Sequence, residues 1–170
     1  MRFVITGEWS RNRLLQTIVA CYSTYVGLLW VTNALLYFNK MDLRPSSVVA
    51  YYLGNEEVFL VPRSYLGMLE ISHFHLFAMG MLLLVLTHLM LFVQLRGRTK
   101  AFLIAVPFLS ALLDEGAGWL VRFVSPDFAV FKVLGFVLLQ ASLAILIYLS
   151  IRTVFQGSSK NYKGDRVEES

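Results

Sequence analysis

The chain has 170 residues, 57% of them hydrophobic and only 15% charged, with a mean hydropathy of +0.63. A soluble domain of this length needs more polar surface, so the composition excludes one and indicates an all-α polytopic membrane protein, residues 1–155 forming one bundle domain. The charge of +4 and pI near 9.3 fit membrane topology rather than nucleic-acid binding, because no aromatic-rich basic patch accompanies them.

Apolar runs predict four transmembrane helices, at 14–38, 66–95, 100–123 and 129–154. Each meets or exceeds the ~20 residues that cross a bilayer, and in lipid a run of this length satisfies its backbone as a helix. The single cysteine, Cys21, excludes an intrachain disulfide. Ile18-Val19-Ala20-Cys21 has the look of a lipoprotein cleavage box. The apolar run nevertheless continues to Phe38, so an uncleaved first helix is expected.

The link 39–65 is too long for a simple turn. Arg44-Pro45-Ser46-Ser47 predicts the start of a short helix, 48–53, stopped by Gly54. It is expected either to cap the bundle as a lid or to lie on the membrane surface as a connector. Residues 156–170 are polar and are expected to form a disordered cytoplasmic tail.

Orientation follows from lysine and arginine. Arg2, Arg11, Arg13, Arg96, Arg98, Lys100, Arg152, Lys160, Lys163 and Arg166 are ten of the fifteen basic residues, and all fall on the side of the termini. The positive-inside rule places both termini in the cytoplasm of a bacterial inner membrane and the 39–65 link outside.

The chemistry concentrates in the second spanning run, which carries all three histidines, His73, His75 and His88, together with Glu70. Ionisable groups at membrane depth are costly and usually face a bundle interior. His73 and His88 differ by roughly 60° and ~22 Å along a helix, so they share a face at opposite depths. His75 lies ~160° around from His73, which excludes one ion bound by all three histidines. The third run adds Asp114 and Glu115 at the depth of His73, and the short link makes the two helices antiparallel neighbours. A cluster of Glu70, His73 or His75, Asp114 or Glu115, and Arg122 follows. Gly116 and Gly118 are expected to allow close helix approach, with Asn33 and Lys132 at similar height.

Three kinds of site fit these residues. Haem b takes axial ligands such as histidine, and His73, His88 and His75 are the candidates. Because no other helix carries histidine, a parallel homodimer or another membrane subunit must complete the set, or a methionine among Met68, Met79, Met81 and Met90, with Gly80 clearing room for the ring. A non-haem metal ion is the second kind. Glu70-Ile71-Ser72-His73 matches one Glu-x-x-His element of di-iron bundles, and Glu70, His73, Asp114 and Glu115 are its candidate ligands. The third is proton or small-solute handling by the acid–histidine cluster without a cofactor. The plainest alternative is a non-catalytic accessory or anchoring subunit, in which the same groups hydrogen-bond across helices. Phosphate-binding loops, the serine-hydrolase elbow and Cys-x-x-Cys are absent from the sequence.

The stretch Ser46-Ser47-Val48-Val49-Ala50-Tyr51-Tyr52-Leu53-Gly54-Asn55-Glu56-Glu57, followed by Leu69-Glu70-Ile71-Ser72-His73-Phe74-His75-Leu76-Phe77-Ala78-Met79-Gly80 and Thr87-His88-Leu89, resembles a family of small, uncharacterised bacterial four-helix membrane proteins. That resemblance implies a lipid-embedded bundle and brings no activity with it. The spacing of His73 and His88 resembles that of b-type membrane cytochromes, from which the chain departs by lacking a second histidine helix.

Overall fold

The computed structural model describes residues 13–164. Five helices follow one another: α1 (Arg13–Lys40), α2 (Pro45–Leu53), α3 (Tyr65–Leu89), α4 (Gly97–Phe123) and α5 (Ala129–Gly164). All but α2 are long and apolar enough to cross a membrane. The chain is therefore an integral membrane protein, its helices surrounded by a lipid bilayer.

The spans fall close to the predicted runs, and α1 passes through Cys21 without interruption. The second ends earlier than expected, in a 3₁₀ turn at Met90–Phe92, where Lys100 Nζ donates to the Leu91 carbonyl at 2.9 Å. The last helix continues to Gly164, into the stretch read as a tail, while 165–170 lie outside the described residues, as do Arg2 and Arg11.

Each helix turns one stripe inward. On α5 it runs Lys132, Phe136, Leu139, Leu143, Leu146 and Ser150, a three-to-four-residue spacing that keeps one face on its neighbours. This face makes α5 the hub: α1, α2, α3 and α4 all pack on it, and α4 does so most extensively. Gly135 is what permits that closeness. A Cβ there would lie 2.7 Å from the Asp114 amide nitrogen, inside contact distance. Small residues let helix backbones approach in this way where lipid supplies no hydrophobic drive. Gly116, expected to do so, meets nothing within 4 Å.

One apolar cluster, with Val26, Leu83, Leu86, Met90, Leu143 and Leu146 at its heart, fills the end of the bundle away from α2. A second gathers Tyr37, Val48, Tyr52, Met68, Val121 and Phe136 at the other end. There Tyr37 and Phe136 stack with centroids 3.6 Å apart.

The short helix α2 is a cap rather than a surface connector. Val48 is fully buried and Tyr52 nearly so, both packed toward α4 and α5. Pro45 sits in its first turn, where a missing N–H costs nothing. Gly54 ends it at φ +87°, with its Cβ position 2.6 Å from the Leu60 carbonyl, so only glycine fits that turn. Gly118 of α4 receives the Tyr52 ring, since a Cβ there would fall 2.5 Å from the phenol oxygen. Burial pushes the Tyr52 phenol above its ordinary pKa, so it stays neutral.

Candidate functional site

Both α1 and α3 lean on α5 from different sides and barely meet each other. Between them lies a crevice floored by α4 and α5. Tyr22 Oη donates to the Leu82 carbonyl at 2.9 Å and closes its lower end. At the capped end the crevice widens into a cavity of about 360 Å³, reached by Tyr51, Tyr52, Pro62 and Arg63 from the cap and by Ser72, His75, Asp114, Glu115 and Lys132 from the helices. Below it lies a smaller space of about 90 Å³, lined mainly by Leu76, Met79, Leu83, Phe108, Leu112 and Leu139. Asn33, His75, Asp114 and Glu115 border both spaces, so a polar ring lies between two chambers whose walls are mainly apolar, the upper one carrying the further polar groups Lys40, Arg63, Ser72 and Lys132.

The ring is built by helix phase. The buried positions of α4 are Pro107, Ser110, Ala117, Gly118 and Val121, and Asp114 falls in the middle of that stripe. Glu115, one residue around, turns toward α3. Lys132 Nζ approaches from α5 to 2.9 Å from Asp114 Oδ1 and donates to the Asp114 backbone carbonyl, also at 2.9 Å. Asp114 Oδ1 itself accepts no well-formed hydrogen bond, so the attachment of that oxygen is one of charge. Lys132 is 7% exposed. A lysine so buried is tolerable only beside a counter-charge.

On the other flank a polar relay crosses from α4 to α3 and back. Trp119 Nε1 donates to Ser72 Oγ at 2.8 Å. The Ser72 hydroxyl donates to Glu115 Oε1 in a short contact. His75 Nδ1 lies 3.4 Å from Glu115 Oε2. The carboxylate is thus fixed at one oxygen and meets an imidazole with the other.

Of the residues singled out from the sequence, His75, Asp114 and Glu115 come together here. Glu70, His73 and His88 do not. The inward face of α3 carries Met68, Ser72, Leu83, Leu86 and Thr87, which turns Glu70, His73 and His88 to the outward surface. The imidazole that reaches the acids is therefore His75, not His73. Arg122 also stands apart from the acids: its Nε donates to the Arg63 carbonyl at 2.8 Å and ties α4 to the cap. The Glu-x-x-His element lies together on that outward face, away from Asp114 and Glu115, and among the described residues no three His, Cys, Asp or Glu side chains gather in a group able to hold a metal ion. Gly80 borders the lower chamber with open space beside it. Sequence reasoning missed Ser72 and Trp119. The signal for Ser72 was a hydroxyl three residues before His75 in an apolar helix, close enough to share its neighbours.

A comparison with curated proteins finds no match, and none is found among solved structures. Residues 42–161, from just before the cap through α3 and α4 and along most of α5, match the profile of one protein family. The chain belongs to that family, Aq_1264_TM, a transmembrane helical domain.

Proposed function

We propose that this membrane protein handles a proton in the crevice, with His75 and Glu115 exchanging it as a small solute occupies the upper chamber. The supporting observation is the charge of the ring. Asp114 and Glu115 bring two negative charges and Lys132 one positive. With His75 neutral the group holds a surplus negative charge, and one added proton removes it. Net charge at membrane depth is costly, and histidine binds protons near neutral pH. The His75–Glu115 pair is the natural seat for that proton, because its two groups face each other across the cavity wall. We place both termini in the cytoplasm of an inner membrane, from the distribution of lysine and arginine, so that the upper chamber opens outward.

Nitrogen NMR of histidine-labelled protein in nanodiscs tests this. The His75 ring nitrogens should shift on Glu115→Gln, with those of His73 and His88 unchanged. Unshifted His75 nitrogens in the variant sink the reading.

A second reading draws on the outward face of α3. Glu70, His73 and His88 are exposed there, on a surface that lipid alone serves poorly. A second copy or another subunit laid against this face would cover them, and haem b held between His73 or His88 and a partner's ligand would use them. Soret absorbance lost on His73→Ala or His88→Ala, and kept on His75→Ala, is the expected result. A folded, haem-supplemented protein without a Soret band removes it.

A further inference from the structure

The mouth of the upper chamber carries cations without anions. Arg63 sits over the Tyr51 ring at 4.1 Å, and Lys40 approaches the same ring at 6.0 Å. Both line the chamber. The backbone of Arg63 is pinned on two sides, its N–H donating to the Tyr52 carbonyl at 3.1 Å and its carbonyl accepting from Arg122 Nε. The guanidinium is thus held in place before anything binds, and Arg122 adds a third positive charge close by. Among the described residues, none of the three forms an ion pair with a carboxylate.

Beneath this basic mouth the chamber passes the polar ring and opens on the apolar space below. Along α3 the lining runs from Gly67 to Leu83, a rise of ~24 Å. That is most of the ~30 Å hydrocarbon thickness of a bilayer. Few close backbone contacts join α1 and α3 along this length, and both helices line the two chambers.

From this complementarity we infer that the crevice binds an anionic amphiphile of the bilayer, its charged head between Lys40 and Arg63 and its chain descending between α1 and α3. The inference rests on the proposed working crevice and names what enters it. Arginine's planar fork suits a carboxylate or a phosphate. The head can therefore belong to a free fatty acid or to an anionic phospholipid, and the chain below is the same chemistry in both.

The test uses the full chain in phosphatidylcholine nanodiscs, with Trp9 and Trp30 changed to Phe so that Trp119, bonded to the lining residue Ser72, reports alone. The probes are brominated stearic acid, brominated phosphatidylglycerol and brominated phosphatidylcholine. Anionic probes should quench Trp119 at lower mole fraction than the zwitterionic one, and which anionic probe does so better identifies the source. Lys40→Ala with Arg63→Ala should weaken the anionic probe about tenfold or more, and Lys40→Arg with Arg63→Lys should restore part of it. Equal quenching by all three probes in the unsubstituted mouth overturns the inference, as does a charge-free mouth that keeps the preference. If the alanine pair fails to fold, the ranking of the three probes decides alone. The histidine spectra are read on the same samples: lost headgroup preference with an intact Glu115-dependent shift of the His75 ring nitrogens defeats the ligand and spares the proton site, and the reverse result does the opposite.

Discussion

Gly135 of α5 and Asp114 of α4 meet backbone to backbone: a Cβ on residue 135 would lie 2.8 Å from the Asp114 Cα. Backbone atoms cannot swing aside as a side-chain tip does. Gly135→Ala should therefore force the two helices apart and cost about 1–3 kcal/mol, the usual range for overpacking. Unfolding in graded denaturing detergent measures it. Gly116→Ala, with open space around its site, should unfold like the unsubstituted protein, and equal stability of the two variants would remove the close crossing from the account.

The ion pair between Lys132 and Asp114 should show the asymmetry of buried charges. Lys132→Met leaves Asp114 among helices without its counter-ion, at a cost of about 3–5 kcal/mol. Adding Asp114→Asn to that variant should recover much of the loss, because no charge is then left alone. A double variant as unstable as the single one would mean that the pair acts through packing and not through charge.

The cap depends on the space left by Gly118. In Gly118→Ala the new methyl group would lie against the Tyr52 phenol, so the ring must leave and α2 must loosen. Cleavage within residues 54–60 by an added protease should speed up severalfold. Tyr52→Ala in the same chain should not restore the seal, because it empties the site the ring fills. Unchanged cleavage in Gly118→Ala would show that the cap is held by Val48 and the loop instead.

Entry into α2 should respond to acid. Asp42 accepts from the Arg44 backbone N–H at 2.7 Å and from its side chain at 2.8 Å. These bonds hold the Asp42 carboxyl below its ordinary value. A depressed carboxylate stabilises the fold above its unfolded pKa, and that contribution fades as pH falls through the folded one. Amide protection at residues 44–48, taken relative to intrinsic exchange at each pH, should fall on acidification, and Asp42→Asn should show low protection at all pH values with this acid limb gone.

The four spans and the short helix α2, though not its choice between lid and connector, could be read from the chain because their signals are local. An apolar run of sufficient length needs no neighbour to declare it, and Pro45 and Gly54 bound α2 by backbone geometry alone. The rotation of α3 could not be read in the same way. Leucine, methionine and phenylalanine surround it on every side, so no polar stripe marks which face meets the bundle, and His73 and His75 were equal contenders for the acids. What decides between them is the packing of Met68, Ser72, Leu83 and Leu86, which is a property of all the helices together. Gly135 was overlooked for a related reason. A glycine in an apolar helix reveals its purpose only when the opposing backbone is in place, whereas Gly118 stood beside the acids and drew attention by position.

That α5 is the hub bears on how the protein is made. The helix on which α1, α2, α3 and α4 all rest is also the last of the five to leave the ribosome. Until it inserts, the earlier spans have only their smaller mutual contacts, such as the Trp119–Ser72–Glu115 bonds between α4 and α3, and lack the surface on which the bundle assembles. During that interval α4 holds Asp114 at membrane depth while its counter-charge Lys132 has yet to be synthesised, whereas the partners of Glu115, Ser72 and His75, are already in the bilayer. The arrival of Lys132 then supplies the counter-charge and Gly135 the groove, and the same stretch of α5 that completes the charge pattern also locks the bundle.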